Sequence, residues 1–441
     1  MAKIDNIYNN LLNEILTNGK SKGDRTGTGT RSIFHHTLEY DMEDGFPLLT
    51  TKKMFLKGII TELLWFLNGS TDLRELVEQG NNIWVGDAHK RFLSENVALL
   101  HESEASTLLE GHVKNGRKKD DFIELIKTND EFNKKWGDLG PIYGKQWVKW
   151  DGWKTKPSIG WLHKRDNIWC VKWSDTHSFS HGTDWLYTNI IDSDQSKYGE
   201  SDEGREVTYK RTTIDYNKET FVPNEVATVV DYTVGYEGGT NQIQNAIDLL
   251  NDNPDSRRIM VSAWNPTDIP NMILPPCHWA FELYTEELTL DERIDISTFY
   301  YKDDVRQQLE DSTTDTTTKY VLDKLEKQDI PKRRLSLKWH QRSVDVGLGL
   351  GFNIASYAFL LEMFAQQVNM VPGMLVGDLT NVHIYNDHIE QVTEQLGRSV
   401  TEHRAPTLKL NKADDMFSYK LEDFSIEGYE SYPTIKMPLS N

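Results

Sequence analysis

Two prolines, a cysteine and a histidine stand in a row at Pro275-Pro276-Cys277-His278, and this is a grouping from which covalent catalysis can be built. The prolines restrict the approach of the backbone, and the thiolate form of cysteine is a strong nucleophile wherever neighbouring cations hold it ionised. Cys277 is therefore a candidate nucleophile. The alternative is an inert thiol acting as a small core hydrophobe, and Cys170 takes only that reading. Arginines occur in short motifs: Asp255-Ser256-Arg257-Arg258 ahead of the strand-like Ile259–Trp264, Gln341-Arg342-Ser343 after the strand-like Leu335–His340, and Arg25 in a glycine-rich loop. Each can be a solvated surface cation. Four planar guanidinium groups together would instead cage a phosphate monoester dianion.

Glu62 lies among apolar neighbours in Ile59-Ile60-Thr61-Glu62-Leu63-Leu64-Trp65. It is either a satisfied structural carboxylate or, with its pKa lifted by desolvation, a general acid or base able to work near pH 7. His383 and Tyr385, two apart on a predicted strand, share a face and offer two hydrogen-bonding groups, or serve as ordinary core polars. Metal ligation by His383, His388 and Asp387 is the minor alternative, because their spacing fits no zinc pattern.

The elements that must position these groups follow from hydrophobic periodicity. Ile4, Tyr8, Leu11, Leu12, Ile15 and Leu16 predict an amphipathic helix over residues 1–18, ended by Asn18-Gly19. A glycine-dense loop at 23–31 leads to the strand-like Ser32-Ile33-Phe34. Phe55, Ile59, Ile60, Leu63, Leu64, Phe66 and Leu67 predict a buried helix over 54–67, and Ile354, Tyr357, Ala358, Leu361, Phe364, Ala365 and Val368 another over 353–370. Three polar segments interrupt this plan: a helical one at about 88–136, an aromatic, strand-like one at 151–238, and one at 286–333 that includes a mobile tip at 311–318. None of the intervening apolar blocks is long enough to bury its own core. The expectation is one folded domain over 1–441 carrying three insertions.

With 441 residues, 27% charged and 38% hydrophobic, the chain is neither collagen-like nor low-complexity. No apolar run approaches the ~18–20 residues of a membrane span, and Met1-Ala2-Lys3-Ile4-Asp5 leads into polar Tyr8-Asn9-Asn10 rather than an apolar leader. Two cysteines exclude a disulfide framework and a multi-cysteine zinc site, so a soluble cytoplasmic protein is expected. A net charge of −19 argues against general affinity for nucleic acid but leaves room for a small anionic ligand.

Taken in order, the motifs resemble those of thymidylate synthases. The resemblance rests on Asp24-Arg25-Thr26-Gly27-Thr28-Gly29, Glu62-Leu63-Leu64-Trp65-Phe66-Leu67, Gly137-Asp138-Leu139-Gly140-Pro141-Ile142-Tyr143-Gly144-Lys145-Gln146-Trp147 and Pro254-Asp255-Ser256-Arg257-Arg258. It continues through Pro275-Pro276-Cys277-His278, Gln341-Arg342-Ser343-Val344-Asp345-Val346, Phe352-Asn353-Ile354-Ala355-Ser356-Tyr357-Ala358 and the tail Tyr432-Pro433-Thr434-Ile435-Lys436-Met437-Pro438. The three insertions stand outside it.

The resemblance implies an α/β (α+β) fold whose mixed β-sheet packs back to back across a homodimer, with helices on the other face. It implies conversion of dUMP to dTMP with 5,10-methylenetetrahydrofolate as one-carbon donor and reductant, and no metal. Carried over residue by residue, Cys277 adds to the pyrimidine C6, while Glu62, Tyr143 and His278 manage protons. Asn353 reads the O4 and N3 edge. Arg25, Arg342, Ser343 and the partner's Arg257 and Arg258 hold phosphate, Gln341 and Asp345 join the substrate set, and His383 with Tyr385 holds the 3′-hydroxyl. Trp84, Asp345 and Lys52 contact the folate, and the tail folds over the site. The sequence departs from the family pattern at Thr380-Asn381, at Lys52-Lys53 and at the end, Leu439-Ser440-Asn441. Two other functions are carried as alternatives: a dUMP 5-hydroxymethylase, in which water captures the methylene, and a non-catalytic homologue binding nucleotide or RNA.

Overall fold

Helix α1 (Lys3–Asn18) sets the pattern for the whole chain, because Ile4, Tyr8, Leu11, Leu12 and Ile15 fall on one face and are all completely buried. The computed structural model describes residues 2–24, 27–96, 116, 118–150, 158–165, 168–173, 185–187, 198–200, 206–213, 228–235, 239–299, 301–311 and 315–438, and only the backbone of the strands between 158 and 235. The chain divides into two units, Met1–Val148 with Gln242–Asn441, and Lys149–Asn241.

In the first unit, β1 (Lys20–Lys22) pairs antiparallel with β2 (Thr30–Asp41), which runs well past the predicted Ser32-Ile33-Phe34. Arg25 and Thr26, in the loop between them, lie outside the described residues. Helix α2 (Leu56–Leu67) is apolar nearly all round, but Phe55 precedes it and is 49% exposed, not part of the buried face as predicted. Next come α3 (Leu73–Glu78), α4 (Val85–Glu95), α5 (Lys119–Thr128), α6 (Asp130–Trp136) and α7 (Tyr143–Lys149). Phe92, Phe122, Phe132 and Trp136 of this helical stretch pack ring against ring, with Phe92 and Trp136 perpendicular at 5.2 Å, and belong to the main core.

The second unit is an antiparallel sheet of β3 (Ser158–Arg165), β4 (Ile168–Trp173), β5 (Trp185–Tyr187), β6 (Tyr198–Glu200), β7 (Glu206–Thr213) and β8 (Thr228–Gly235), in the order β5-β4-β3-β8-β7-β6. Cys170 falls on β4, and its side chain lies outside the described residues.

The first unit resumes with α8 (Gln242–Asp252), β9 (Met260–Ser262) and β10 (His278–Glu287). Helices α9 (Leu290–Ile296), α10 (Lys302–Asp311) and α11 (Asp315–Lys327) follow, gathered around Ile294, Val321, Leu325 and Ile330. Of the tip predicted at 311–318, residues 312–314 lie outside the described residues, but Asp315 to Thr318 begin α11. The reason is that Val321 and Leu325, four apart, anchor one face of that helix and carry the polar threonines into its first turns.

The chain then forms β11 (Arg333–Gln341), β12 (Val344–Asp345), α12 (Leu350–Gln367), β13 (Val371–Tyr385), α13 (Ile389–Leu396), β14 (Thr407–Leu410) and β15 (Phe424–Glu427). Helix α12 starts and ends three residues earlier than predicted, because Asn369 at φ 50° turns the chain toward β13. The main sheet has the order β1-β2-β13-β11-β10-β9, with β12 beside β13. It is mixed, since β11 and β12 run parallel to β13 while the other pairs are antiparallel. Period-2 alternation turns Leu335, Leu337 and Trp339 into the core, where Trp339 stacks on Tyr357 of α12 at 5.2 Å and 8°. The opposite face carries Ser336, Lys338 and His340, and next to them Glu282, Asp378 and His35. Phe34 on β2 is 84% exposed.

Candidate active site

Strand register, not proximity in sequence, assembles the site. His278 pairs with Gln341, and the Arg342 amide donates to the Cys277 carbonyl at 2.8 Å, so the two motifs lie side by side at the head of β10 and β11. The Arg342 side chain turns back on the same turn, its Nε donating to Pro276 O at 2.9 Å and a terminal nitrogen to Pro275 O at 2.8 Å, with the guanidinium over the Trp264 ring at 5.4 Å. A permanent cation is thus fixed beside a half-buried cysteine, the setting a reactive thiolate requires.

Helices α2 and α7 supply the second wall. They pack backbone to backbone: a Cβ on Gly144 would lie 2.2 Å from the Phe66 carbonyl oxygen, so only glycine fits after Tyr143. That contact brings the Tyr143 hydroxyl to accept a 2.8 Å hydrogen bond from the Cys277 amide. The Tyr143 ring stacks on His278 at 4.3 Å, and the His278 Nδ1 lies 2.8 Å from the Tyr357 hydroxyl. Burial pushes His278 down to about 3, so it is the neutral imidazole, and pushes the Tyr143 phenol well above its ordinary value. Both are proton carriers held in their neutral forms.

Glu62 faces the same cleft from α2. Protein packs tightly around it although part of its side chain remains exposed, and desolvation lifts its carboxyl to about 7 against the opposing pull of the Trp84 indole, which donates to Oε1 at 2.8 Å. At neutral pH it populates both protonation states, as a group that must give and take protons requires. Asn353, on α12, has its Oδ1 bound at 3.1 Å by Gln341 Nε2, and Gln341 Oε1 accepts in turn from the Trp339 indole at 3.1 Å. This relay fixes which way the Asn353 amide points: Nδ2 is left to donate and the second lone pair of Oδ1 to accept, complementary to a uracil edge.

Asp345 on β12 sits beside His383 on β13, and the Leu348 amide donates to its Oδ1 at 3.1 Å. His383 Nδ1 contacts the Asn381 carbonyl at 2.7 Å, and its ring meets Tyr385 edge-on at 5.2 Å. Asn381 takes φ 51°, a left-handed position that asparagine tolerates. Lys52 is buried, with its ammonium on the Gly347 carbonyl at 2.6 Å and near the Tyr8 hydroxyl at 3.3 Å, and desolvation lowers it to about 8. It braces the loop after Asp345 from behind.

Two predicted groups are not brought to Cys277 within one chain. Arg257 and Arg258 are exposed at the start of β9, whose neighbour Ile259 accepts from the Leu283 amide. Leu283 is six residues beyond Cys277 along β10, about 20 Å at ~3.4 Å per residue, farther than an arginine side chain extends. Ser343 lies beside Arg342 and gives its carbonyl to Gln341 Nε2 at 3.0 Å. Among the described residues, no three His, Cys, Asp or Glu side chains form a metal-holding group.

Sequence reasoning missed several residues of the site. Asp5, fully buried on α1, accepts from the amides and hydroxyls of Thr50 and Thr51 at 2.7 to 3.2 Å and so fixes the bend leading to Lys52. Arg398 donates to both Thr51 O and Pro433 O at 2.7 Å, tying the C-terminal tail to that bend. A buried aspartate in an otherwise apolar helix face was the available signal for the first. Nothing in the sequence marked the second.

The thymidylate synthase family model matches residues 6–441. The chain belongs to the thymidylate synthase family. Its curated relatives include thymidylate synthases from Listeria monocytogenes serotype 4b (strain CLIP80459) and Listeria innocua serovar 6a, each 31% identical over 98% of this chain and 99% of theirs. The thymidylate synthase of Listeria monocytogenes serovar 1/2a (strain EGD-e) is 30% identical over the same shares. Membership makes the chain a methyltransferase enzyme of mixed α/β fold. In this thymidylate synthase family member, no helix among the described residues is long and apolar enough to cross a membrane.

Proposed function

We propose that this chain is a thymidylate synthase that converts dUMP to dTMP with 5,10-methylenetetrahydrofolate and releases dihydrofolate. The observation that supports it most is the convergence on Cys277 of a fixed cation, Arg342, and two neutral proton carriers, Tyr143 and His278, opposite a carboxyl poised near pH 7.

Uracil C5 is a poor nucleophile. The Cys277 thiolate adds to C6, and the C5–C6 electron pair moves onto C5 and O4 as an enolate that Asn353, oriented by Gln341, stabilises from the pyrimidine edge. The folate supplies an activated methylene carbon, which C5 attacks. Loss of the C5 proton and of the folate amine leaves an exocyclic methylene, hydride from the tetrahydrofolate ring completes the methyl group, and the thiolate departs from C6. Glu62, with Tyr143 and His278, carries the protons. Trp84 and Asp345 offer an apolar face and an acceptor for the pterin, and Lys52 supports that loop.

Arg342, Ser343 and Arg25 hold the phosphate from one subunit, and His383 with Tyr385 holds the 3′-hydroxyl. Arg257 and Arg258 serve the site of a second copy. The open sheet face around Phe34, Glu282 and Tyr284 is the surface on which that copy packs, back to back. The enzyme acts on small molecules, without metal or nucleic acid, in the cytoplasm as a single domain with three insertions. Incubation with dUMP and methylenetetrahydrofolate tests the assignment: dihydrofolate appearing with dTMP supports it. Consumption of the one-carbon unit without dihydrofolate makes the enzyme a hydroxymethylase, and no reaction makes it a binding homologue.

A further inference from the structure

His388, which the mechanism above does not use, is completely buried at the turn after β13. Its Nε2 lies 2.7 Å from the carbonyl oxygen of Pro438 in the C-terminal tail. A carbonyl only accepts, so Nε2 carries a proton. Its Nδ1 is buried without a hydrogen-bond partner, and Asp345 Oδ1 lies 3.7 Å from it. At that distance the contact is electrostatic rather than a made hydrogen bond. Loop, turn and tail meet closely: a Cβ on Gly347 would come within 3.1 Å of His388 Nδ1, 3.3 Å of Met437 Sδ and 3.5 Å of Asp345 Oδ1.

We propose that His388 is a positioning residue that latches the C-terminal tail to the Asp345 loop, and that the closed latch is its imidazolium, donating from Nε2 to Pro438 O and from Nδ1 to the Asp345 carboxylate. A neutral ring has one N–H and satisfies one link only, so losing the proton releases either the tail or the loop. Burial lowers the pKa of His388, but Asp345, the Pro438 carbonyl and Asp387 together outweigh it and raise the value above the ordinary one. The link is therefore complete below about 6.5 and is lost as pH rises through the raised value.

The charged and titratable groups around the ring are few. Asp387 Oδ1 is 3.8 Å from Nε2 on the same turn, Tyr385 of β13 meets the ring edge-on at 5.5 Å, and Lys52, which also feels the Asp345 charge, donates to the Gly347 carbonyl at 2.6 Å. Lys52 titrates in the same region and is the competing origin of any pH effect.

The proposal rests on the assigned folate site only for its kinetic consequence. For the wild-type enzyme KM for methylenetetrahydrofolate is expected to rise by about threefold or more between pH 6.5 and 9 while KM for dUMP stays level, and His388→Gln, which keeps one donor but cannot ionise, should show no such rise. A retained rise in His388→Gln would assign it to Lys52 and overturn the latch. Hydrogen exchange of the Lys436 and Met437 amides in the free enzyme needs no activity, so it separates failure of the latch from failure of the synthase assignment. The variant-to-wild-type ratio should exceed one at pH 6 and approach one at pH 9, and a ratio of one throughout overturns the proposal. Should His388→Gln not fold, NMR titration of the wild-type ring decides. The Met437 methyl signal must shift with it, and independent titration refutes the latch.

Discussion

The Trp84 indole donates a 2.8 Å hydrogen bond to Glu62 Oε1, and this contact opposes the desolvation of that carboxyl. A donor favours the ionised form, so Trp84 sets how far above the ordinary value Glu62 rises. Trp84→Phe keeps an aromatic wall and removes the donor. A hydrogen bond to a charged group is worth roughly 1.5–3 kcal/mol, so the acid limb of the pH–rate profile should move up by about one unit or more. An unmoved limb would show that Glu62 does not govern it.

Glu62 also couples stability to pH. Its folded value, about 7, lies above the ordinary value of 4.5, so its favourable contribution is fully present below pH 4.5 and is lost as pH rises through 7. Glu62→Gln removes that loss. The variant should gain on the order of 3 kcal/mol relative to wild type on going from pH 4.5 to pH 8, while turnover falls. Thermal unfolding at both pH values measures it, and a difference that does not change with pH contradicts the buried carboxylate.

Cys277→Ser preserves the 2.8 Å contact to the Tyr143 hydroxyl, which uses only the backbone amide of residue 277, and removes the soft nucleophile. Affinity for dUMP by calorimetry should stay within about threefold, and turnover should fall by at least ~10³-fold. Substantial retained turnover would move the nucleophile elsewhere.

Arg257 and Cys277 lie too far apart along β9 and β10 to share a site within one chain. Arg257→Ala and Cys277→Ala proteins, each inactive, should on mixing and subunit exchange regain about a quarter of wild-type activity, because half the dimers are hybrids with one intact site. Exchange without rescue would rule out sites completed across the dimer.

Asn353 presents one donor and one acceptor because Gln341 holds its amide. Asn353→Asp replaces that pair with acceptors, which suits the amino group of cytosine and repels uracil O4. The ratio of kcat/KM for dCMP over dUMP should rise by about 10²-fold, as expected when one buried polar match is exchanged for another. An unchanged ratio would mean that the pyrimidine edge is read by another residue.

The sequence by itself determined the chemistry available and the local elements. Cys277-His278 after two prolines, a carboxylate in the apolar face of α2, arginines in short motifs, and periodicities of 3.6 for α1, α2 and α12 and of 2 for β11 are all local properties of the chain. Only the tertiary structure decided which of these groups meet. The register of β10 on β11 lays Arg342 against Cys277, and the glycine contact of α2 with α7 brings Tyr143 to the cysteine amide. The hydrogen bonds from Trp339 through Gln341 to Asn353, from Thr50 and Thr51 to Asp5, and between His388 and Pro438 join residues separated in the chain. Spacing reports only neighbours along the chain. A pKa lifted by burial, an amide held one way, or a histidine caught between a loop and a tail comes from groups that folding alone brings within a few ångströms.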